Sequence, residues 1–80
     1  MEQVWQFAGS SNEGEAFQIK GVNVWKQGWQ VVPGLEAHVN DPVYGQEFIF
    51  RVFTIQDGEE KIEFAAGEFS NGIWGFYVRN

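Results

Sequence analysis

The chain has a single histidine, His38, and two carboxylates lie close to it in sequence, Glu36 and Asp41. An imidazole oriented by a carboxylate can serve as a general base near neutral pH, because its ordinary titration range lies there. On that reading the chain is a small acid–base enzyme working through His38 with Asp41 or Glu36. The plainer reading makes His38 a polar strand residue beside the Asn40-Asp41-Pro42 loop. No partnered nucleophile stands in a recognisable context, so the plainer reading is preferred.

Carboxylates gather at Asp57-Gly58-Glu59-Glu60, with Glu47, Glu63 and Glu68 on neighbouring segments. A pair such as Glu47 and Glu68 across a cleft could hydrolyse a glycosidic bond, and oxygens converging from a loop could hold calcium. The 57–60 segment lacks the alternating ligand spacing of a calcium loop, however, and hairpin tips are commonly charged. There is no cysteine, so neither a disulfide nor a thiolate-zinc site is available. Glycines sit singly at turns rather than in a loop opening a helix, which removes the usual phosphate cradle. No metal and no cofactor is expected.

Tryptophans offer a different chemistry. If Lys26-Gln27-Gly28 is a three-residue turn, Trp25 and Trp29 face each other across a hairpin. Two indoles so placed make a platform for a sugar ring or an apolar peptide side chain, with Gln27, Gln30 and Asn23 supplying amide hydrogen bonds. The candidate ligand contacts are Trp25, Trp29, Trp5 and Gln27. The competing reading is a cross-strand Trp–Trp pair that only stabilises the hairpin or closes a barrel end.

The elements that would carry these residues are strands. Fourteen aromatics occur among eighty residues, mostly alternating with polar residues or beside glycine-containing turns, and period-two apolar patterning marks half-buried strands. Turn signals recur at 9–15, Lys26-Gln27-Gly28, Pro33-Gly34, 40–45, Gln56-Asp57-Gly58 and Ser70-Asn71-Gly72. Strands are expected at 3–8, 15–20, 22–25, 29–32, 35–39, 46–55, 59–69 and 73–79, with 35–39 also compatible with a helical turn. The pattern predicts one all-β domain over 1–80, a small antiparallel sandwich or partly open barrel of about six to eight short strands. A three-stranded meander over 46–79 closes it.

The meander permits a register prediction. With Gln56-Asp57-Gly58 and Ser70-Asn71-Gly72 as three-residue loops, the first hairpin pairs Phe50 with Phe64, Val52 with Ile62 and Arg51 with Glu63. The second pairs Ala66 with Phe76, Gly67 with Gly75 and Glu63 with Arg79. One face then collects Phe48, Phe50, Val52, Ile62, Phe64, Ala66, Trp74, Phe76 and Val78. The other carries an Arg51–Glu63–Arg79 ladder among Ile49, Phe53, Ile55, Phe69, Ile73 and Tyr77. Covering both faces with so short a chain calls for a closed barrel or another subunit. A homodimer through Phe53, Ile55, Ile73 and Tyr77 is therefore expected. The facing Gly67 and Gly75 suggest a bend that closes a barrel.

Charge narrows the partners. The formal net charge is −6 and the pI about 4.5, so a phosphate backbone or an anionic bilayer would be repelled. Nucleic acid and membrane are disfavoured. The segment Met1-Glu2-Gln3-Val4-Trp5 has no basic and apolar leader pattern, and a cytoplasmic location is expected. Taken together, these residues favour a non-enzymatic binding module acting through aromatic surface. Its targets would be a protein partner, a second copy of itself, or a neutral small ligand such as a sugar. The alternatives are the small acid–base enzyme and an acidic accessory or inhibitory protein docking a basic partner.

Overall fold

Alternating apolar residues and glycine turns produce seven strands and no α-helix in the computed structural model, which describes residues 4–79. They are β1 Gln6–Ser11, β2 Gln18–Ile19, β3 Val22–Asn23, β4 Gln30–Asn40, β5 Glu47–Asp57, β6 Glu60–Glu68 and β7 Trp74–Val78. A five-stranded antiparallel sheet runs β1-β7-β6-β5-β4, and β2 and β3 form a separate two-stranded ribbon. The all-β expectation holds. Of the first expected strand, Gln3 lies outside the described residues.

The two hairpins of the meander divide on register. Between β6 and β7, Gly67 pairs with Gly75 and Ala66 with Phe76, as expected. Gly72 has φ +83 in the loop, and the Phe69 N–H donates to the Ile73 carbonyl at 2.9 Å. The Glu63–Arg79 prediction also holds, as an ion pair of 2.9 Å. Between β5 and β6 the prediction fails. Phe53 pairs with Phe64, Ile55 with Ile62 and Arg51 with Ala66, so Arg51 and Glu63 are not neighbours. The turn is Gly58-Glu59, two residues long, with Gly58 at φ +60 in its first central position. The slip amounts to three residues, and an odd slip sends every β5 side chain to the opposite face. Phe48, Phe50 and Val52 therefore leave the Phe64 face, and Phe53 and Ile55 join it.

Pro33-Gly34 does not end a strand either. β4 runs through it as an irregularity between Val31 and Glu36, with Gly34 at φ +76. An outermost strand tolerates proline because its missing N–H need not face a neighbour. Residues 35–39 are strand, which decides that ambiguity.

Each face of the sheet has its own core. One is covered by a cap built from 17–29, whose Ile19 and Val24 pack on Ile55, Ile62, Phe64, Ala66 and Phe76. Phe17 stacks on Phe76 at 4.5 Å, and Trp29 meets Phe64 edge-on at 5.1 Å. The other face buries Ala37, Val39, Phe50, Val52, Ala65 and Tyr77, and among the described residues no separate strand pair covers it. It does so by curling. The Tyr77 hydroxyl donates to the Asn40 carbonyl although β6 and β5 lie between β7 and β4. In a flat sheet those strands would be ~14 Å apart, beyond a tyrosine's reach. Gly67 and Gly75 make room on this concave side. A Cβ on Gly67 would come within 2.5 Å of the Phe50 ring, and one on Gly75 would collide with Phe69. The β6–β7 pairing runs through both glycines without irregularity, so what they provide is room for the Phe50 and Phe69 rings.

Candidate functional site

At one end of the curled sheet, three segments distant in sequence enclose a groove of about 320 Å³. Its walls are Phe7 and Ser10 of β1, Asp41 to Tyr44 and Gln46 of the β4–β5 loop, and Phe69 to Asn71 with Ile73 of the β6–β7 loop. That volume is at the lower end of the range for small-ligand sites, and the mix of apolar walls with a few polar groups is characteristic of them.

The β4–β5 loop is held by its own polar groups. The Asp41 N–H donates to the Gln46 carbonyl at 2.8 Å, and the Gly45 N–H to the Asp41 carbonyl at 2.8 Å. The Asp41 Oδ1 accepts the Val43 N–H at 2.8 Å, and the Asn40 amide donates to the Gly45 carbonyl at 3.1 Å. Pro42 fixes one torsion and Gly45 supplies a left-handed one at φ +75. The tip so formed displays Val43 and Tyr44, 74 % and 87 % exposed. The Ser70 hydroxyl bonds Gln46 Oε1 at 3.3 Å, joining this loop to the β6–β7 loop. Phe7 forms the third wall, 42 % exposed, with its edge toward Tyr77 at 5.4 Å.

Asp41 also acts on Tyr77, which is buried in the concave core beside the groove residues Phe7 and Phe69. The Tyr77 phenol is held above its ordinary value of 10.0, first by burial and second by the Asp41 carboxylate. Tyr77 thus stays a neutral donor to Asn40 well into alkaline conditions.

The residues singled out from sequence are placed elsewhere. Trp25 and Trp29 do meet, with ring centroids 5.0 Å apart, but not across a hairpin. A 3-10 turn at Val24–Lys26 follows Asn23, whose Oδ1 accepts the Trp25 N–H at 3.2 Å, and no strand pairing joins the two sides. Both indoles are half-buried in the capped core, and their N–H groups are spent. Trp25 donates to Ser11 Oγ at 2.9 Å and Trp29 to the Val24 carbonyl at 2.7 Å. Gln27 is exposed beside them. Trp5 belongs to the other face, where the Arg79 guanidinium sits over its ring at 4.6 Å. The sheet separates it from Trp25 and Trp29.

The four side chains expected at a subunit contact do not share one surface. Phe53 and Ile55 lie in the capped core and Tyr77 in the concave one. Ile55 and Tyr77 are 1 % and 2 % exposed within the chain itself. Ile73 is half-buried and lines the groove. His38 is exposed on β4 opposite Ile49, and no hydrogen bond joins it to Asp41 among the described residues. Glu68 borders a shallow depression with Ile49, Arg51 and Trp74 that does not include Glu47. Among the described residues no three His, Asp or Glu side chains converge as metal ligands, and no helix is long and apolar enough to cross a membrane.

Sequence reasoning passed over Phe7, Val43, Tyr44 and Phe69 as one surface. The available signal was Val43-Tyr44 itself, an aliphatic and an aromatic inside a turn segment that no strand periodicity requires. No protein-family model, curated protein or solved structure matches the chain.

Proposed function

We propose that this protein is a non-enzymatic binding module that holds an apolar side chain of a partner in the groove between Phe7, the Val43-Tyr44 tip and Phe69. One observation carries the reading: Val43 and Tyr44 are almost fully exposed on a loop whose backbone is pinned by hydrogen bonds. Exposed apolar residues on a loose loop would cost little to leave in water and signify little. A fixed tip displaying them beside a concave apolar wall has the form of a recognition surface, where rigid aromatics lose little entropy on contact. The polar groups at the rim, Ser10, Asp41, Gln46, Ser70 and Asn71, would orient a ligand backbone.

The test is a titration of ¹⁵N-labelled protein with the neutral dipeptide acetyl-Phe-Ile-amide. Saturable shifts are expected at Phe7, Ser10, 41–46 and 69–73. Shifts confined to the indoles of Trp25 and Trp29 would move the site to the tryptophan cluster, and an absence of saturable shifts would remove the reading.

A further inference from the structure

Two polar side chains that line the groove have one end tied to the backbone and the other left over. Asp41 Oδ1 accepts the Val43 N–H at 2.8 Å, and Asn71 Oδ1 accepts the Ile73 N–H at 3.0 Å. A backbone N–H can only donate, so the Asn71 atom that meets it is the oxygen, and the Asn71 Nδ2 group remains a donor. By the same logic Asp41 keeps Oδ2 as an acceptor. Among the described residues neither Asp41 Oδ2 nor Asn71 Nδ2 has a hydrogen-bond or ion-pair partner. Ser70 and Gln46, by contrast, are joined to each other at 3.3 Å. Both loops are held by backbone bonds as well, the Gly45 N–H to the Asp41 carbonyl at 2.8 Å and the Gly72 N–H to the Phe69 carbonyl at 2.9 Å. The groove thus offers one preset acceptor and one preset donor beside walls that are mainly apolar.

That combination matches one residue of a peptide, which presents one N–H, one carbonyl and one side chain. A sugar presents a hydroxyl on nearly every ring carbon. Most of those would lose water against Phe7, Val43, Tyr44 and Phe69 without gaining a partner. We infer that the groove takes a segment of a partner protein by its backbone as well as by its apolar side chain. A backbone N–H of the partner donates to the Asp41 carboxylate, and a backbone carbonyl accepts from the Asn71 amide. Because the loops fix both protein atoms beforehand, little ordering is left to be done on contact. This rests on the groove being the binding surface, as proposed above.

Three ligands separate the outcomes in titrations of ¹⁵N-labelled protein: acetyl-Phe-Ile-amide, the same dipeptide with every N–H methylated, and methyl β-glucoside. The first is expected to bind at least about fivefold tighter than the second, and the glucoside to give no saturable shift. Asn71→Asp keeps the oxygen that accepts the Ile73 N–H and replaces only the donor, so it should weaken the first dipeptide at least about fivefold. Asp41→Asn keeps the bond to Val43 and should weaken the first dipeptide several-fold while leaving the methylated one unchanged, since that ligand has no N–H to lose. Unchanged affinity for the first dipeptide in both variants would overturn the backbone contacts while leaving the groove reading intact. Saturable glucoside shifts at the groove that both variants abolish would make the occupant a sugar and overturn the inference. No saturable shift from any of the three ligands would overturn the groove reading itself.

Discussion

On the capped face, Phe64 and Phe76 are shielded by a separate piece of chain, with Trp25 and Trp29 fixed there by hydrogen bonds from both indoles. On the concave face, Phe50 and Tyr77 are shielded by the sheet's own curvature, with Gly67 and Gly75 cleared to let Phe50 and Phe69 lie against the strands. The groove lies at one end of the curled face, where the β4–β5 and β6–β7 loops meet Phe7 of β1. The difference also answers the size problem. A chain of this length cannot build two full layers on both sides of a sheet, but it can cap one side and roll around the other.

The sharpest way to test this contrast is Phe64→Ala, which empties the centre of the capped face where Phe64 is wholly enclosed. A loss of about 3–5 kcal/mol is expected in urea unfolding, a large share of the stability of a small domain. A loss below about 1 kcal/mol would mean that the cap does not cover a tightly packed core. Next comes Gly75→Ala on the concave side. The new methyl would meet the Phe69 ring, and a loss of about 1–3 kcal/mol from overpacking is expected. A neutral or stabilising result would show that curvature does not depend on the cleared glycines.

Smaller again is Tyr77→Phe, which removes the hydroxyl that ties β7 to β4 across two strands and should cost about 1 kcal/mol. Its pH dependence is more telling than its size. Burial and then Asp41 hold the folded-state phenol above 10.0, so the folded chain keeps this proton after the unfolded chain has lost it. The stability tied to Tyr77 is therefore complete below about pH 10 and declines as pH rises beyond it. Urea midpoints measured at neutral and alkaline pH should show a decline in the parent that is shallower in Tyr77→Phe. The smallest effect belongs to Tyr44→Ala. Exposed and outside both cores, it should change stability by less than about 0.5 kcal/mol, yet it should weaken acetyl-Phe-Ile-amide binding at least several-fold. A variant that unfolds the chain would instead assign Tyr44 to the core.

These comparisons show where the sequence was informative. β6 and β7 were legible because Ile62, Phe64, Ala66, Trp74 and Phe76 alternate cleanly and Gly72 marks its own loop position. β5 was not, because Phe48, Ile49, Phe50, Val52, Phe53 and Ile55 make it apolar on both sides. Such a strand gains nearly as much from either register, so the choice passes to the turn, where Gly58 fits a two-residue or a three-residue loop. Trp25 and Trp29 were rightly expected to touch, but Asn23 winds a 3-10 turn between them rather than a hairpin. The groove was out of reach for another reason. Its walls come from residues near 7, 43 and 70, and only the curl brings them together.

One consequence of the fold concerns crowding of many copies. A rolled sheet that stops short of closure leaves β1 and β4 as lateral borders, and unpaired borders can template cross-β fibrils. Here β1 carries a bulge between Phe7 and Gly9, and β4 is broken by Pro33 and Gly34 between Val31 and Glu36. Neither border presents an unbroken row of backbone donors and acceptors along its whole length. At high concentration the chain should resist fibril growth despite its aromatic content, and the kinks at Gly9 and Pro33 are the devices that confer this resistance.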